Sequence, residues 1–163
     1  MLFEQTMTKL RAMKLQGMVE ALEEQRQQVQ AMDLSFEDRL ALLVDRQWLW
    51  KENRALATRL QYAKLKQSAY IEDIDFRHSR GLQRAVIEQL AGSDWVKYHQ
   101  NCIITGPTGV GKTFLSCALA HRACRDGYRV LYYYAPKLFR ELSMAQADGS
   151  LMGLLKKLDK VDL

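Results

Sequence analysis

The chain has 163 residues, 48% hydrophobic and 26% charged, with two prolines and a net charge of +5, the balance of one ordinary folded domain or two small ones rather than of a disordered chain. No apolar run approaches the roughly 20 residues of a membrane span, and the start, MLFEQTMTKLRAMK, has no continuous apolar stretch and carries Glu4, so neither a membrane span nor a signal peptide is expected and the predicted location is cytoplasmic. Cys102, Cys117 and Cys124 are odd in number and lack C-x-x-C spacing, which predicts buried reduced thiols rather than disulfides or a metal site; the modest positive charge permits a polyanionic partner without requiring one.

The first part of the chain, residues 1–67, reads as a helical domain. Phe3, Met7, Leu10 and Met13 recur at helical spacing. A polar run from Glu23 to Gln28 follows, the pattern of a solvated helix face. Ser35 stands three residues before Asp38, which predicts a helix start there, and a long helix from Phe36 towards Lys66. Leu42, Leu49, Leu56 and Ala63 repeat every seventh residue, with Leu60 beside them, and predict an apolar seam for another helix. From Arg46 to Lys66 the same helix carries six bases, Arg46, Lys51, Arg54, Arg59, Lys64 and Lys66, against one acid, Glu52. At roughly 100° per residue, Arg46, Arg54, Lys51 and Lys64 fall on a flank away from the leucines, with Trp48, Trp50 and Tyr62 interleaved. Two readings stay open: a solvated face over packed aromatics, or a surface contacting the phosphate backbone of DNA.

Residues 68–92 read as a linker and a short helix. In Ser68–Asp75 the helical period stops. Glu72, Asp73 and Asp75 lie close together without His or Cys at ligand spacing, so a turn is predicted rather than a metal site. A short helix is predicted over Gly81–Leu90, ending near Gly92.

Residues 93–163 change period. Cys102, Ile103 and Ile104 form a short branched apolar run, the signal of a buried strand. A helix is predicted from Lys112 to about Arg125, stopped at Asp126-Gly127. Tyr128–Tyr134, YRVLYYY, is rich in strand formers. Pro136 suits the first turn of a helix reaching about Ala147, Asp148-Gly149-Ser150 a turn, and Leu151–Leu158 a further helix. Strand, loop, helix, strand, helix is the order of a parallel α/β domain. The expected fold class is therefore α/β: a helical N-terminal domain followed by an incomplete phosphate-loop NTPase domain with a parallel sheet.

Between the first predicted strand and its helix lies Gly106-Pro107-Thr108-Gly109-Val110-Gly111-Lys112-Thr113, which satisfies G-x-x-x-x-G-K-[ST]. Gly106, Gly109 and Gly111 permit a tight loop whose backbone N–H groups turn inward. These donors and the positive end of the following helix suit phosphate oxygens. Lys112 supplies a charge for β and γ phosphates, and Thr113 offers a hydroxyl to Mg²⁺. The guanine-selecting Asn-Lys-x-Asp element is absent, which favours adenine. Trp95 and Val96 suit either a cover for the purine or ordinary core. His78, His99 and His121 show no ligand or triad spacing.

Five blocks, NRALATRLQYAKLK (Asn53–Lys66), IDFRHSRGL (Ile74–Leu82), NCIITGPTGVGKTFL (Asn101–Leu115), RDGYRVLYYYAPKLFREL (Arg125–Leu142) and ADGSL (Ala147–Leu151), together resemble the IstB-like ATPases, helper proteins of insertion-sequence transposition similar to DnaC-type helicase loaders of the AAA+ class. Tyr134 departs from this pattern, where many relatives carry a base. The resemblance implies ATP with Mg²⁺ as ligands, nucleotide-dependent self-association, contact with duplex DNA and a transposase as partner. It assigns Lys112 and Thr113, with the backbone of Gly106–Gly111, to phosphate and metal. A helicase loader and a non-enzymatic interaction fragment are the alternative functions. Phosphoryl transfer also needs an acid on the metal, a group orienting water and usually an arginine finger. In AAA+ relatives the acid ends a later apolar strand. The expectation is that Val161-Asp162-Leu163 begins that strand, that the chain is truncated before this Walker B element, and that it binds without turnover. In the same relatives the loop-bearing strand and the second strand are not neighbours, so here both are expected to lack partners.

Overall fold

The computed structural model describes residues 2–28, 34–77 and 81–163. Their regular structure is helical: α1 (Leu2–Ala12), α2 (Gln16–Gln27), α3 (Phe36–Ala63), a 3-10 turn at Ile71–Asp73, α4 (Arg84–Ala91), α5 (Asp94–Lys97), α6 (Lys112–Arg125), α7 (Ala135–Asp148) and α8 (Leu151–Leu158). The chain divides into two compact units, Met1–Ala55 and Leu56–Leu163, with the division inside α3. No helix among the described residues is long and apolar enough to cross a membrane.

The first unit is built on the apolar spacing of α1. Met7 and Leu10 are buried with Val19, and Phe3, Leu15, Met18 and Leu22 pack around them. Met13, counted with that stripe from its spacing, is exposed instead. The helix ends at Ala12 because Lys14 takes a left-handed φ of 60°, and the N–H groups of Lys14 and Leu15 close back on the carbonyls of Arg11 and Leu10. The start of α3 follows its sequence signal: Ser35 Oγ accepts from the Asp38 N–H at 3.1 Å and donates to Asp38 Oδ2 at 2.7 Å. The seam of α3 differs from the heptad reading. Leu42 and Leu49 are about half exposed, at 50% and 56%. Within this unit the face turned inward is Leu43, Gln47 and Trp50, spaced i, i+4, i+7. Gly17 of α2 makes that approach possible: a Cβ built there lies 2.8 Å from Gln47 Cα and 2.9 Å from the Arg46 carbonyl oxygen. Gln47 Oε1 then accepts from the Met18 N–H at 3.2 Å, serving the otherwise unpaired first turn of α2.

The second unit is organised around α6. Cys117, Ala118, Ala123 and Cys124 are fully buried. One side of α6 packs with Ala63 and Val130, and with the partly buried Leu56, Leu60, Leu65, Tyr128 and Leu163. Another, which includes Phe114, packs with Ala69, Ile71 and Tyr132. Small residues let α6 sit close to its neighbours. The glycine stop reads as expected: Gly127 has φ 99°, and Gly127 and Tyr128 donate to the carbonyls of Cys124 and Ala123, the double closure of a Schellman end. Arg59 Nε donates to the Cys124 carbonyl at 2.8 Å, and Ser93, 2% exposed, donates to Asp126 Oδ2 at 2.7 Å. Gly149, at φ 79°, ends α7.

The expected parallel sheet is not formed. Among the described residues neither Cys102–Ile104 nor Tyr128–Tyr134 is a strand, and the α/β fold class is corrected to a helical one. The strand signals are real as apolar patterns, but a strand exists only where another backbone answers its N–H and C=O groups. Arg129 and Leu131 exchange hydrogen bonds with Leu163, 3.2 and 2.8 Å long. The Tyr132 N–H is taken by the end of α3, at Ala63. Between the two extended segments lies a cavity of about 630 Å³, lined by Val96, Cys102, Ile104, Val130, Leu131 and Leu163 among others. Ile103 is 85% exposed.

Candidate phosphate-binding site

The loop Gly106–Thr113 is exposed along most of its length and leads directly into α6. Its three glycines all have positive φ: 144° at Gly106, 88° at Gly109 and 96° at Gly111. Side-chain-bearing residues rarely adopt these values. A Cβ at Gly109 would meet nothing within 4 Å, so that glycine is required by backbone conformation rather than by space.

Gly111 is the N-cap of α6, and no side chain caps the helix. The first bond along the helix is Leu115 N–H to the Gly111 carbonyl at 3.0 Å. The N–H groups of Gly111, Lys112, Thr113 and Phe114 precede it and have no partner within the helix. They form, with the helix dipole, a donor set suited to an anion. Lys112 Nζ lies on the same loop, donating to the carbonyls of Gly106 at 2.9 Å and Pro107 at 2.6 Å. Its charge is thus held at the loop rather than extended into solvent. Thr113 is half-buried beside Lys112, at the start of the helix. N–H donors with no partner inside the helix, an ammonium and a hydroxyl at one helix start have the chemistry for a phosphate chain with its divalent cation; the donor set fits.

A cavity of about 210 Å³ adjoins the loop. Gly111, Lys112, Phe114 and Leu115 line one side; Asp73, Ile74, Asp75 and Leu82 line the other. Asp75 is engaged by the Arg77 side chain at 3.0 and 3.2 Å and by its backbone N–H at 2.9 Å. These residues escaped the reading by spacing, because they precede the loop by about thirty positions and look like a turn. Their presence in the block Ile74–Leu82 was the available signal; His78, Ser79 and Arg80 of that block lie outside the described residues. Trp95 and Val96 do not line this cavity. Val96 is 4% exposed and Trp95 Nε1 donates to the Leu90 carbonyl at 2.9 Å, so both belong to ordinary packing. Among the described residues no group of three His, Cys, Asp or Glu side chains is placed to hold a metal ion.

The six bases from Arg46 to Lys66 separate into different environments. Arg46 pairs with Glu24, Arg54 lies 5.1 Å from the Trp50 ring centroid, and Arg59 serves the Cys124 carbonyl. Lys51, Lys64 and Lys66 are exposed.

The sequence pattern of the IstB-like ATP binding protein family matches residues 8–163. A protein named as an insertion sequence ATP-binding protein in Sinorhizobium fredii is 45% identical over 163 residues, 100% of this chain and 66% of that protein. One named as the insertion sequence IS1162 ATP-binding protein, from Pseudomonas fluorescens, is 44% identical over 100% of this chain and 71% of its own length. One named for insertion sequence IS21, from Pseudomonas aeruginosa, is 32% identical over 91% of this chain and 56% of its own length. The chain spans about two thirds of the length of the first of these relatives. With the pattern covering nearly every residue, the chain belongs to the family of IstB-like ATP binding proteins.

Proposed function

We propose that this chain binds ATP with Mg²⁺ at Gly106–Thr113 and serves as a nucleotide-dependent helper of insertion-sequence transposition. The observation that carries the reading is the loop itself: three positive-φ glycines turn the backbone onto an uncapped helix start where Lys112 is already held. Mg-ATP brings the charge of the triphosphate and a bond whose cleavage releases free energy. The Gly111–Phe114 N–H groups would hold phosphate oxygens. Lys112 would exchange the carbonyls of Gly106 and Pro107 for phosphate, and Thr113 would present its hydroxyl to the cation. Pro107, Thr108 and Val110 shape the loop. The cavity edged by Ile74 and Leu82 is the nearest apolar surface for the rest of the nucleotide.

The wider role follows from the relatives' names, which place them in insertion sequences. Duplex DNA and a transposase are the partners, and the location is cytoplasmic. Self-association belongs to the same reading; the exposed Leu42 and Leu49 of α3 are apolar surface for it. The division of labour assigned from sequence, residues 1–67 for assembly or DNA, 68–92 as linker and 93–163 for nucleotide, is part of the proposal.

Calorimetry with Mg-ATP tests the core of this reading. The chain is expected to bind, and Lys112→Ala to weaken binding by about 2 kcal/mol, roughly thirtyfold, as for a lost charge-assisted contact. Absence of binding by the unaltered chain, or equal affinity in the variant, would overturn it.

A further inference from the structure

We propose that the depression formed by Lys64, Lys66, Gln67, Ser68, Tyr70 and His121 is a seat for a backbone phosphate of duplex DNA. It rests on the reading that this chain engages DNA and names the place. The depression has a volume of about 420 Å³ and lies wholly within the second unit. His121 lies nine residues beyond Lys112 in α6, about 13 Å along the helix axis, so the seat is separate from the nucleotide loop.

Of the six bases in the run, Arg46, Arg54 and Arg59 are each occupied by groups of this chain. Among the described residues no carboxylate lies within ion-pair distance of Lys64 or Lys66. The acids nearest them in sequence and on the facing helix are already matched: Glu72 by Arg125 at 3.0 Å and Asp126 by Arg122 at 3.1 Å. The two ammonium groups are left as the uncompensated charge of this surface.

The segment that carries them is anchored. Ala63 is fully buried and its carbonyl accepts the Tyr132 N–H at 2.8 Å. Leu65 packs against two buried clusters, and Ala69 is 1% exposed. Ala63, Leu65 and Ala69 turn inward, while Lys64, Lys66, Gln67 and Ser68 are exposed. Lys64 has φ 50°, a disfavoured conformation for a residue with a Cβ, and one that turns the chain out of α3 so that both lysines reach the same depression. Tyr70 and His121 close its floor edge to face, with ring centroids 4.6 Å apart. The polar groups presented are ammonium, amide, hydroxyl and imidazole. That set can hold a phosphate oxygen, and a contact to phosphate is independent of base sequence.

The experiment follows binding of a short fluorescent duplex to the whole chain by anisotropy across a salt series. At a slope of about 0.9 per phosphate neutralised, loss of the one seated phosphate lowers the salt slope by about 0.9 and the affinity at about 0.1 M salt roughly 8-fold. The double variant Lys64→Ala, Lys66→Ala is expected to show both effects equally on duplexes of unrelated sequence. The Lys64→Arg, Lys66→Arg pair should retain binding. Lys156→Ala with Lys157→Ala on α8, an equal loss of charge elsewhere, should change the slope much less. Mg-ATP affinity should be the same in the Lys64, Lys66 double variant as in the unaltered chain. Unchanged DNA binding in that variant, an equal effect of the α8 pair, or loss of ATP binding in its place would each overturn the assignment. Failure of the unaltered chain to bind duplex would overturn the underlying DNA reading as well, and the two failures are told apart by that first titration.

Discussion

Gly17→Ala offers a test whose sign decides between two physical effects. In a helix, replacing glycine by alanine ordinarily adds stability, up to about 1 kcal/mol. Here the added Cβ would lie 2.8 Å from Gln47 Cα, 2.9 Å from the Arg46 carbonyl oxygen and 2.9 Å from Trp50 Cβ. Carbon–carbon contact wants about 3.5–4.0 Å, and neither backbone nor a Cβ can rotate away. Forcing α2 back from α3 costs about 1–3 kcal/mol of overpacking and also pulls Gln47 Oε1 from the Met18 N–H, now at 3.2 Å, worth about 1 kcal/mol. The sum against the propensity gain is a net loss of about 1–3 kcal/mol in the first unit. Urea unfolding followed by tryptophan fluorescence in a Trp95→Phe background reports on this unit, because Trp48 and Trp50 both lie on α3. A midpoint moved down by that amount supports the close approach. A midpoint moved up would mean that propensity alone is operating and that Gly17 is not at a helix contact.

Two further outcomes follow from burial. Cys117 and Cys124 are fully buried, and burial pushes the Cys124 thiol above its ordinary pKa. Since the thiolate is the reactive form, brief alkylation of the native chain should label Cys102 first, and all three thiols only after denaturation; rapid native labelling of Cys124 would contradict the packing of α6. His121 is held below its usual value of 6.5, first by burial and then by the Arg125 charge. The unfolded chain therefore takes up this proton more readily, and stability should fall as pH drops from about 6.5 towards the lowered native value, then level off. In His121→Gln that component disappears, which the difference between the two pH profiles of midpoint would reveal; superimposable profiles would refute it.

The helices were legible because their signals are local. Ser35 with Asp38 set the start of α3, Gly127 and Gly149 stopped α6 and α7 in left-handed conformations, and Lys112–Arg125 came out as read. The shape of the glycine loop ahead of α6 was legible for the same reason: eight consecutive residues and the helix after them fix it. The heptad was half misleading. Leucine spacing says which residues share a stripe, but the position of Gly17 decided which stripe of α3 faces inward, and that information sits in another helix. The predicted strands failed on the same distinction. Ile103 and Val130 have side chains suited to a sheet, yet strand formation depends on a partner backbone that no local pattern specifies. The acid-containing edge of the cavity beside Lys112 was invisible to spacing because Asp73 and Leu82 reach it through the fold.

The absence of a sheet among the described residues does not dissolve the loop, and the reason lies in what holds it. Each positive-φ glycine is satisfied by its own residue type, the helix start supplies its N–H groups whether or not a sheet lies behind it, and α6 is anchored by Ala63, Ala69 and Val130 on faces away from the loop. Lys112, donating to Gly106 and Pro107, ties the loop's entry to its exit from within. On the proposed reading those two bonds would be given up for phosphate, so the loop would exchange one set of oxygens for another instead of ordering from a disordered start. The cost of binding is then mainly the loss of neutral carbonyl contacts, which are weaker than contacts to a charged oxygen. On this argument the donor geometry for an anion is set by the span from Gly106 to Phe114, and what surrounds it governs which anion is retained rather than whether one can be held.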